Sequence, residues 1–252
     1  MRPITAHSNN LDRHFINIIK ETASVKSNRE VRDLLQRLAL LYELNSVAYV
    51  AVNLPGLALP VRAAANHYVS STYQEAWIKR YHEQDYWRLD PVLKQGFSSI
   101  LPINWGKFDL SEPHLRNFFG EAGEHGVGRH GLSFPVRGRY GEKALFSISS
   151  DGRLRDWIRR IPFWTRDFQV LSYHIHQMVL RTEGFRDPNI KLAPRELECL
   201  RWSAAGKSAA EIGVILSLSE KTVRFYQDLA RTKLDAKNLA HAVAKLYALD
   251  LL

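Results

Sequence analysis

Apolar residues recur along this chain at two periods, and the change of period divides it into elements. Val31, Leu34, Leu35, Leu38, Leu41 and Leu44 fall at helical spacing between residues 28 and 44, which predicts an amphipathic helix with one face toward a core. Residues 10–24 carry a similar pattern. SVAYVAV (46–52) is β-branched and aromatic and predicts a strand, with Leu54-Pro55-Gly56 as its turn. A second extended stretch is expected near 62–69, and helices over 72–84 and 109–124, with a break at Asp90-Pro91. GLSFPV (131–136) and KALFSIS (143–149) read as strands on either side of Arg137–Gly141, and a long helix is expected from about 165 to 183. Two prolines and a glycine in 184–194 then mark a linker. Beyond it the pattern is short helices without a strand. The expected division is a mixed α+β domain over 1–184, a linker over 185–192 and an all-α domain over 193–252.

Charge and composition narrow the classes. The chain has 252 residues, 45% of them hydrophobic, with 35 Lys+Arg against 26 Asp+Glu and a formal charge of +9. The hydrophobic fraction is that of a globular protein, and the positive balance suits an acidic partner such as nucleic acid or a membrane surface. The charge is not confined to one end. Residues 129–166 hold 9 Lys+Arg against Glu142, Asp151 and Asp156, a segment read as solvated surface, with contact to flanking DNA or another protein left open. Cys199 is the single cysteine, so neither an intrachain disulfide nor a structural zinc site is expected. No apolar run reaches the roughly 18 residues of a membrane span, and MRPITAHSNNLDRH lacks a signal peptide's apolar stretch. The expectation is a soluble cytoplasmic protein without membrane contact.

In the C-terminal part Pro194 suits the first turn of a helix that Gly206 stops. Ser208 would cap a second helix through Ile212, Ile215 and Leu216, and Ser219 a third from Glu220 to Leu234. Two short helices joined by a tight turn, the second amphipathic and basic, form the helix-turn-helix pattern. At about 100° per residue, Val223, Tyr226, Ala230 and Leu234 form a core stripe. Lys221, Arg224, Asp228 and Arg231 lie opposite, beside Phe225 and Thr232. Arg224 suits a guanine and Asp228 a cytosine amino group; Lys221, Arg231 and Lys233 suit phosphates. An ordinary solvated charged face is the bland alternative. Gly206-Lys207-Ser208 is not a nucleotide loop, because Arg201 stands where a Walker motif needs glycine.

LAPRELECLRWSAAGKSAAEIG (192–213) followed by LSEKTVRFY (218–226) resembles the LuxR-type helix-turn-helix, with Glu196, Leu200 and Gly206 on its most characteristic positions. The resemblance covers nearly all of 192–246 and implies a four-helix DNA-binding domain, with Ser208, Lys221, Thr222, Arg224, Phe225, Asp228, Arg231 and Lys233 as the DNA-binding residues. Leu229 and Tyr226 depart from the common Asn and His of relatives, which bears on promoter sequence. Such proteins bind inverted repeats as homodimers, and RNA polymerase is an expected partner. The apolar stripe of the last helix, from Leu239 to Leu249, serves either the dimer or the domain's own core.

The N-terminal domain shows no phosphoreceiver pattern. Tyr73, Trp77 and Tyr81 recur every four residues, followed by Asp90-Pro91-Val92 and then Trp105. Singly these read as an aromatic core stripe and a turn cap. Together they resemble the acyl-homoserine-lactone-binding domain of quorum-sensing receptors, over roughly 30–180. That resemblance implies an α/β/α sandwich with an antiparallel sheet. A neutral lactone with one amide N–H and several carbonyls needs one acceptor and several donors in a buried site, since each unpaired buried polar group costs about 1–3 kcal/mol. By resemblance Asp90 accepts the amide N–H, Trp77 donates to the lactone carbonyl, Tyr73 donates to the acyl carbonyl, and Ser147 is a second hydroxyl donor. Trp105 and Tyr81 wall the ring and chain. Val92 replaces a Thr of some relatives, removing one polar contact.

An enzyme is not expected. His174 and His176 point to different helix faces, His125 and His130 lack a carboxylate or cysteine at ligand spacing, and His67 and His82 are isolated. There is no H-E-x-x-H or G-x-S-x-G. No metal and no cofactor are expected besides the lactone, acyl or aryl. The other reading is a LuxR-type regulator that needs no ligand or answers to a different small molecule. An empty pocket would leave Asp90 and the aromatics around a void, so coupling of ligand to folding is the expectation.

Overall fold

The computed structural model describes residues 14–54, 67–139, 141–185, 190–249 and 251. Residues 10–13 of the first expected helix, the Pro55-Gly56 turn, 62–66 of the second extended stretch and 186–189 of the expected linker lie outside them. Leaving residues 139–141 aside, the chain divides after residue 186 into two compact units.

The first unit is built on a five-stranded antiparallel sheet. Its strands are β1 (Ser46–Val52), β2 (His67–Ser71), β3 (Ile103–Asn104), β4 (His130–Arg137) and β5 (Lys143–Ser150), in the order β2-β1-β5-β4-β3. Helices α1 (14–22), α2 (Asn28–Leu41) and α7 (Leu154–Thr182) cover one face. The other is covered by α3 (Glu75–Glu83), α4 (Tyr86–Leu89), α5 (Pro91–Gly96), a 3-10 turn at Trp105–Lys107 and α6 (Pro113–Glu124). This is the expected sandwich. Ser27 caps α2 through the Glu30 N–H, and the stripe from Val31 to Leu38 meets Val47, Tyr49, Phe134, Phe146 and the inner face of α7. Each fully buried side chain of this size is worth about 1.5–3 kcal/mol, so this layer carries most of the unit's cohesion.

Helix α7 starts 11 residues before the expected position and contains Pro162. Proline removes one backbone hydrogen bond and normally ends or kinks a helix. Here Trp157 and Trp164 on either side of it are both buried, with ring centroids 4.7 Å apart, so tertiary packing holds the helix through the proline. Its first turns expose Arg153, Arg155 and Arg159, while Arg137 from the same basic segment donates to the Gly96 and Ser99 carbonyls. His176 is a core histidine: its Nδ1 and the Tyr49 hydroxyl share a hydrogen bond of 2.7 Å, and Nε2 lies 3.4 Å from Glu142.

The second unit has four helices, α8 (Pro194–Ala204), α9 (Ala209–Leu216), α10 (Glu220–Lys233) and α11 (Leu239–Ala248). Pro194 opens α8, and Gly206 follows it at φ +82. Leu200, Ala230, Leu234, Ala242 and Leu246 form one small core, which α11 helps to close, and Cys199, Ile212 and Val223 form another. Among the described residues no helix is long and apolar enough to cross a membrane, and no three His, Cys, Asp or Glu side chains gather as a metal site.

Candidate functional site

The register of the sheet decides which side chains each face of the first unit carries. Val47 pairs with Ile148 and Leu132 with Ile148, so these side chains share the α2–α7 face. Ala48 pairs with Ser147, and Ser133 with Ser147, on the opposite face. With Gly131 and Ser149 these residues give the α3–α6 side a stretch of small and hydroxyl side chains, next to an apolar row of Val50, Leu145 and Pro135. Above it stand Trp77, Tyr86, Val92, Leu93, Trp105 and Phe118, with Tyr73 and Tyr81 packed against them. Gly131 is required here: a Cβ at that position would lie 2.0 Å from the Trp105 ring.

Helix α3 presents Trp77 and Tyr81 on one face, while Tyr73 lies in the segment just before it, because Gln74 is the N-cap. Asp90 occupies the junction of α4 and α5. Its Oδ1 accepts the Val92 and Leu93 backbone N–H groups at 2.7 and 3.1 Å, capping α5. Its Oδ2 accepts the Tyr81 hydroxyl at 2.9 Å. The turn cap and the cluster of aromatics expected as alternatives are thus one arrangement. Burial pushes the Asp90 carboxyl up to about 6, against the lowering effect of Tyr81 and the two backbone donors. Burial, and the nearby Asp90 charge, raise the phenols of Tyr81 and Tyr73 well above their ordinary value, so both remain neutral donors at physiological pH.

Trp77 is 3% exposed and meets the rings of Tyr81, Tyr86, Phe118 and His125. Among the described residues neither its indole N–H nor the Tyr73 hydroxyl has a hydrogen-bond partner. The Trp105 indole N–H donates to Ser133 Oγ at 2.9 Å, and Ser133 and Ser147 hydroxyls are 2.7 Å apart. Ser133 was missed in the sequence; its signal is strand alternation, two residues after Gly131 on the same face. Val92 is buried and contributes its backbone N–H to Asp90. Arg80 holds α3 to α6 through a bidentate pair with Glu121, at 2.7 and 2.8 Å.

In the second unit Ser208 caps α9 and exchanges hydrogen bonds with Glu211. Ser217 adopts a left-handed conformation, and Ser219 caps α10. The turn is close: a Cβ on Gly213 would lie 2.7 Å from the Leu218 carbonyl oxygen. Lys221, Arg224, Phe225 and Asp228 are exposed along α10. Lys221 has no partner among the described residues, Arg224 pairs with Glu220 at 2.6 Å and Arg231 with Asp228 at 3.3 Å. Thr222 meets the Ser219 hydroxyl at 2.7 Å. Arg224, Gln227, Asp228 and Arg231 border a shallow groove closed by Lys237, Asn238 and Leu239. Lys233 is held within the unit, donating to both oxygens of the buried Glu196 at 2.8 Å. The core stripe also includes Gln227, whose amide donates to Ser203; Tyr226 is only half-buried.

Residues 27–179 match the family model of the autoinducer binding domain, and residues 191–246 that of the bacterial regulatory proteins of the luxR family. The chain belongs to the LuxR family of autoinducer-binding transcription regulators. This LuxR-family regulator is 36% identical over 172 residues to the transcriptional activator protein RaiR of Rhizobium etli, covering 68% of this chain and 71% of RaiR. With the transcriptional activator protein VanR of Vibrio anguillarum it shares 29% over 232 residues, 91% of this chain and 94% of VanR. The crystal structure of Escherichia coli SdiA has the same fold, with a TM-score of 0.67 at 22% identity, covering 96% of this chain and 98% of SdiA. The family and these relatives regulate transcription and are not enzymes. The regulator therefore pairs a small-molecule signal domain with a DNA-binding helix-turn-helix.

Proposed function

We propose that this LuxR-family regulator binds a homoserine lactone, acyl or aryl, between the sheet and α3–α6, and as a homodimer reads an inverted-repeat promoter in the cytoplasm, with RNA polymerase as its downstream partner. The observation that carries the reading is the pair of donors with no protein partner among the described residues, the Trp77 indole and the Tyr73 hydroxyl, in the same cluster as the Asp90 carboxylate. In this reading Asp90 accepts the amide N–H, Trp77 donates to the lactone carbonyl and Tyr73 to the acyl carbonyl. Ser147 supplies a further hydroxyl, steadied by Ser133, and Tyr81, Val92 and Trp105 form walls. On DNA, Arg224 and Asp228 face base edges, while Lys221, Arg231 and the helix starts at Ser208 and Thr222 face phosphates. Lys233 acts through Glu196 instead.

One observation favours the second reading, a regulator that folds without its signal. Both Asp90 oxygens already have partners within the protein, so an empty site does not leave the carboxylate unpaired. Thermal melting separates the two. Butanoyl-, octanoyl-, dodecanoyl- and cinnamoyl-homoserine lactones are added to the purified chain, wild type and Asp90→Ala. A ligand at a hundredfold excess over its Kd adds about 2.7 kcal/mol, or about 5–10 °C. A wild-type shift lost in Asp90→Ala supports the lactone site; a flat panel with a well-folded chain overturns it.

A further inference from the structure

The exposed aromatic on α10, Phe225, has no hydrogen-bonding group with which to read a base edge or a phosphate. Phe225 is 58% exposed on a helix that buries Val223, Gln227 and Ala230. At 100° per residue its side chain leaves the helix about 40° from Lys221 and about 60° from Asp228. Any surface that meets those two side chains meets Phe225 as well. The exposed face is also uneven. Arg224, Asp228 and Arg231 line the polar groove on one edge, and Phe225 supplies the other edge, with the half-buried Tyr226 ring 5.8 Å away to support it. A phenyl ring cannot pair with a base-edge donor or acceptor, nor with a phosphate. The one apolar group in a major groove is the thymine C5 methyl. Lys221 and Arg231 match the phosphate charge that surrounds that groove.

We propose that Phe225 is a specificity residue that packs on a thymine methyl group in each DNA half-site. This rests on the reading of α10 as the DNA-facing helix. Arg224 and Asp228 then select by hydrogen bonding at one edge, and Phe225 selects by apolar contact at the other. Its discrimination differs in kind, because it senses a methyl group and not a donor or acceptor.

The test exchanges thymine for deoxyuridine, which removes only that methyl. A preferred duplex is selected from random DNA with the full chain, purified in the presence of the lactone panel above. Affinities are then measured by fluorescence anisotropy with each thymine replaced in turn. One replacement per half-site should weaken wild-type binding about fourfold, the worth of one buried methyl group, and both together about fifteenfold. Phe225→Ala should bind the thymine and deoxyuridine duplexes alike, while Phe225→Leu keeps part of the difference. Because the residue is exposed, melting of both variants should match the wild type. Specific binding that ignores every deoxyuridine, or a penalty that survives in Phe225→Ala, overturns the assignment and leaves the DNA reading standing. Failure to select any sequence overturns both.

Discussion

The two faces of the one sheet are built on different rules. Toward α2 and α7 the strands turn Val47, Tyr49, Leu132, Phe134, Phe146 and Ile148, each at most 2% exposed. Toward α3–α6 the same strands turn Ala48, Gly131, Ser133, Ser147 and Ser149, with Val50, Leu145 and Pro135 as one apolar row beside them. A one-residue slip would exchange these sets, so the bulky face fixes the register. The second face is thereby free to carry small and hydroxyl groups beside its one apolar row. Cohesion and recognition are separated by 180° of side-chain direction on a shared backbone.

The largest effect should come from the packed face. Phe168, fully buried against Tyr42, Phe134 and Phe146, should cost about 3–5 kcal/mol in urea unfolding as Phe168→Ala, and added lactone should leave that difference in place. On the second face, Gly131→Ala drives a methyl into Trp105. We expect about 1–3 kcal/mol of overpacking together with loss of the lactone-induced melting shift. A Gly131→Ala variant that keeps the shift would break the separation.

Asp90 gives a subtler handle. Its carboxyl rises to about 6 from 3.8, so the folded state holds the proton more tightly than the unfolded chain. Its own contribution to stability is then full below about pH 4 and lost as pH rises through about 6. The lactone contact proposed for Asp90 needs the ionised acceptor and runs the other way. The lactone affinity should be about halved at pH 6 relative to pH 8 in the wild type and independent of pH in Asp90→Asn, measured by titration at each pH; equal pH profiles would remove Asp90 from the site. The smallest effect is expected of Ser133→Ala, which deprives the Trp105 indole of its acceptor, at about 1 kcal/mol in melting.

The element types of both units were legible because their patterns are local: the leucine spacing of α2, the alternation of β1, β4 and β5, and the caps Ser208 and Ser219. Helix α7 was cut short because Pro162 is a local stop signal that Trp157 and Trp164 override from the tertiary level. The Trp77/Tyr81/Asp90/Trp105 set is visible as spacing. Its wiring is not, since the Asp90 bonds to Tyr81, Val92 and Leu93 depend on how α4 meets α5. Ser133 needs the β4–β5 register before it can be paired with Ser147. Lys233 shows the same limit on a helix: on the wheel it suits a phosphate, but a buried glutamate 37 residues away claims its ammonium.

The close approach at Gly213 bears on what the helix-turn-helix must give up to bind DNA. Backbone meets backbone there, so the crossing of α9 and α10 is set by main-chain contact and does not wait on side-chain rearrangement. A reader assembled beforehand spends little binding energy on ordering itself. The residues proposed to touch the bases sit on a fixed mount, so exchanging them should change which sequence is read while the mount stays as it is.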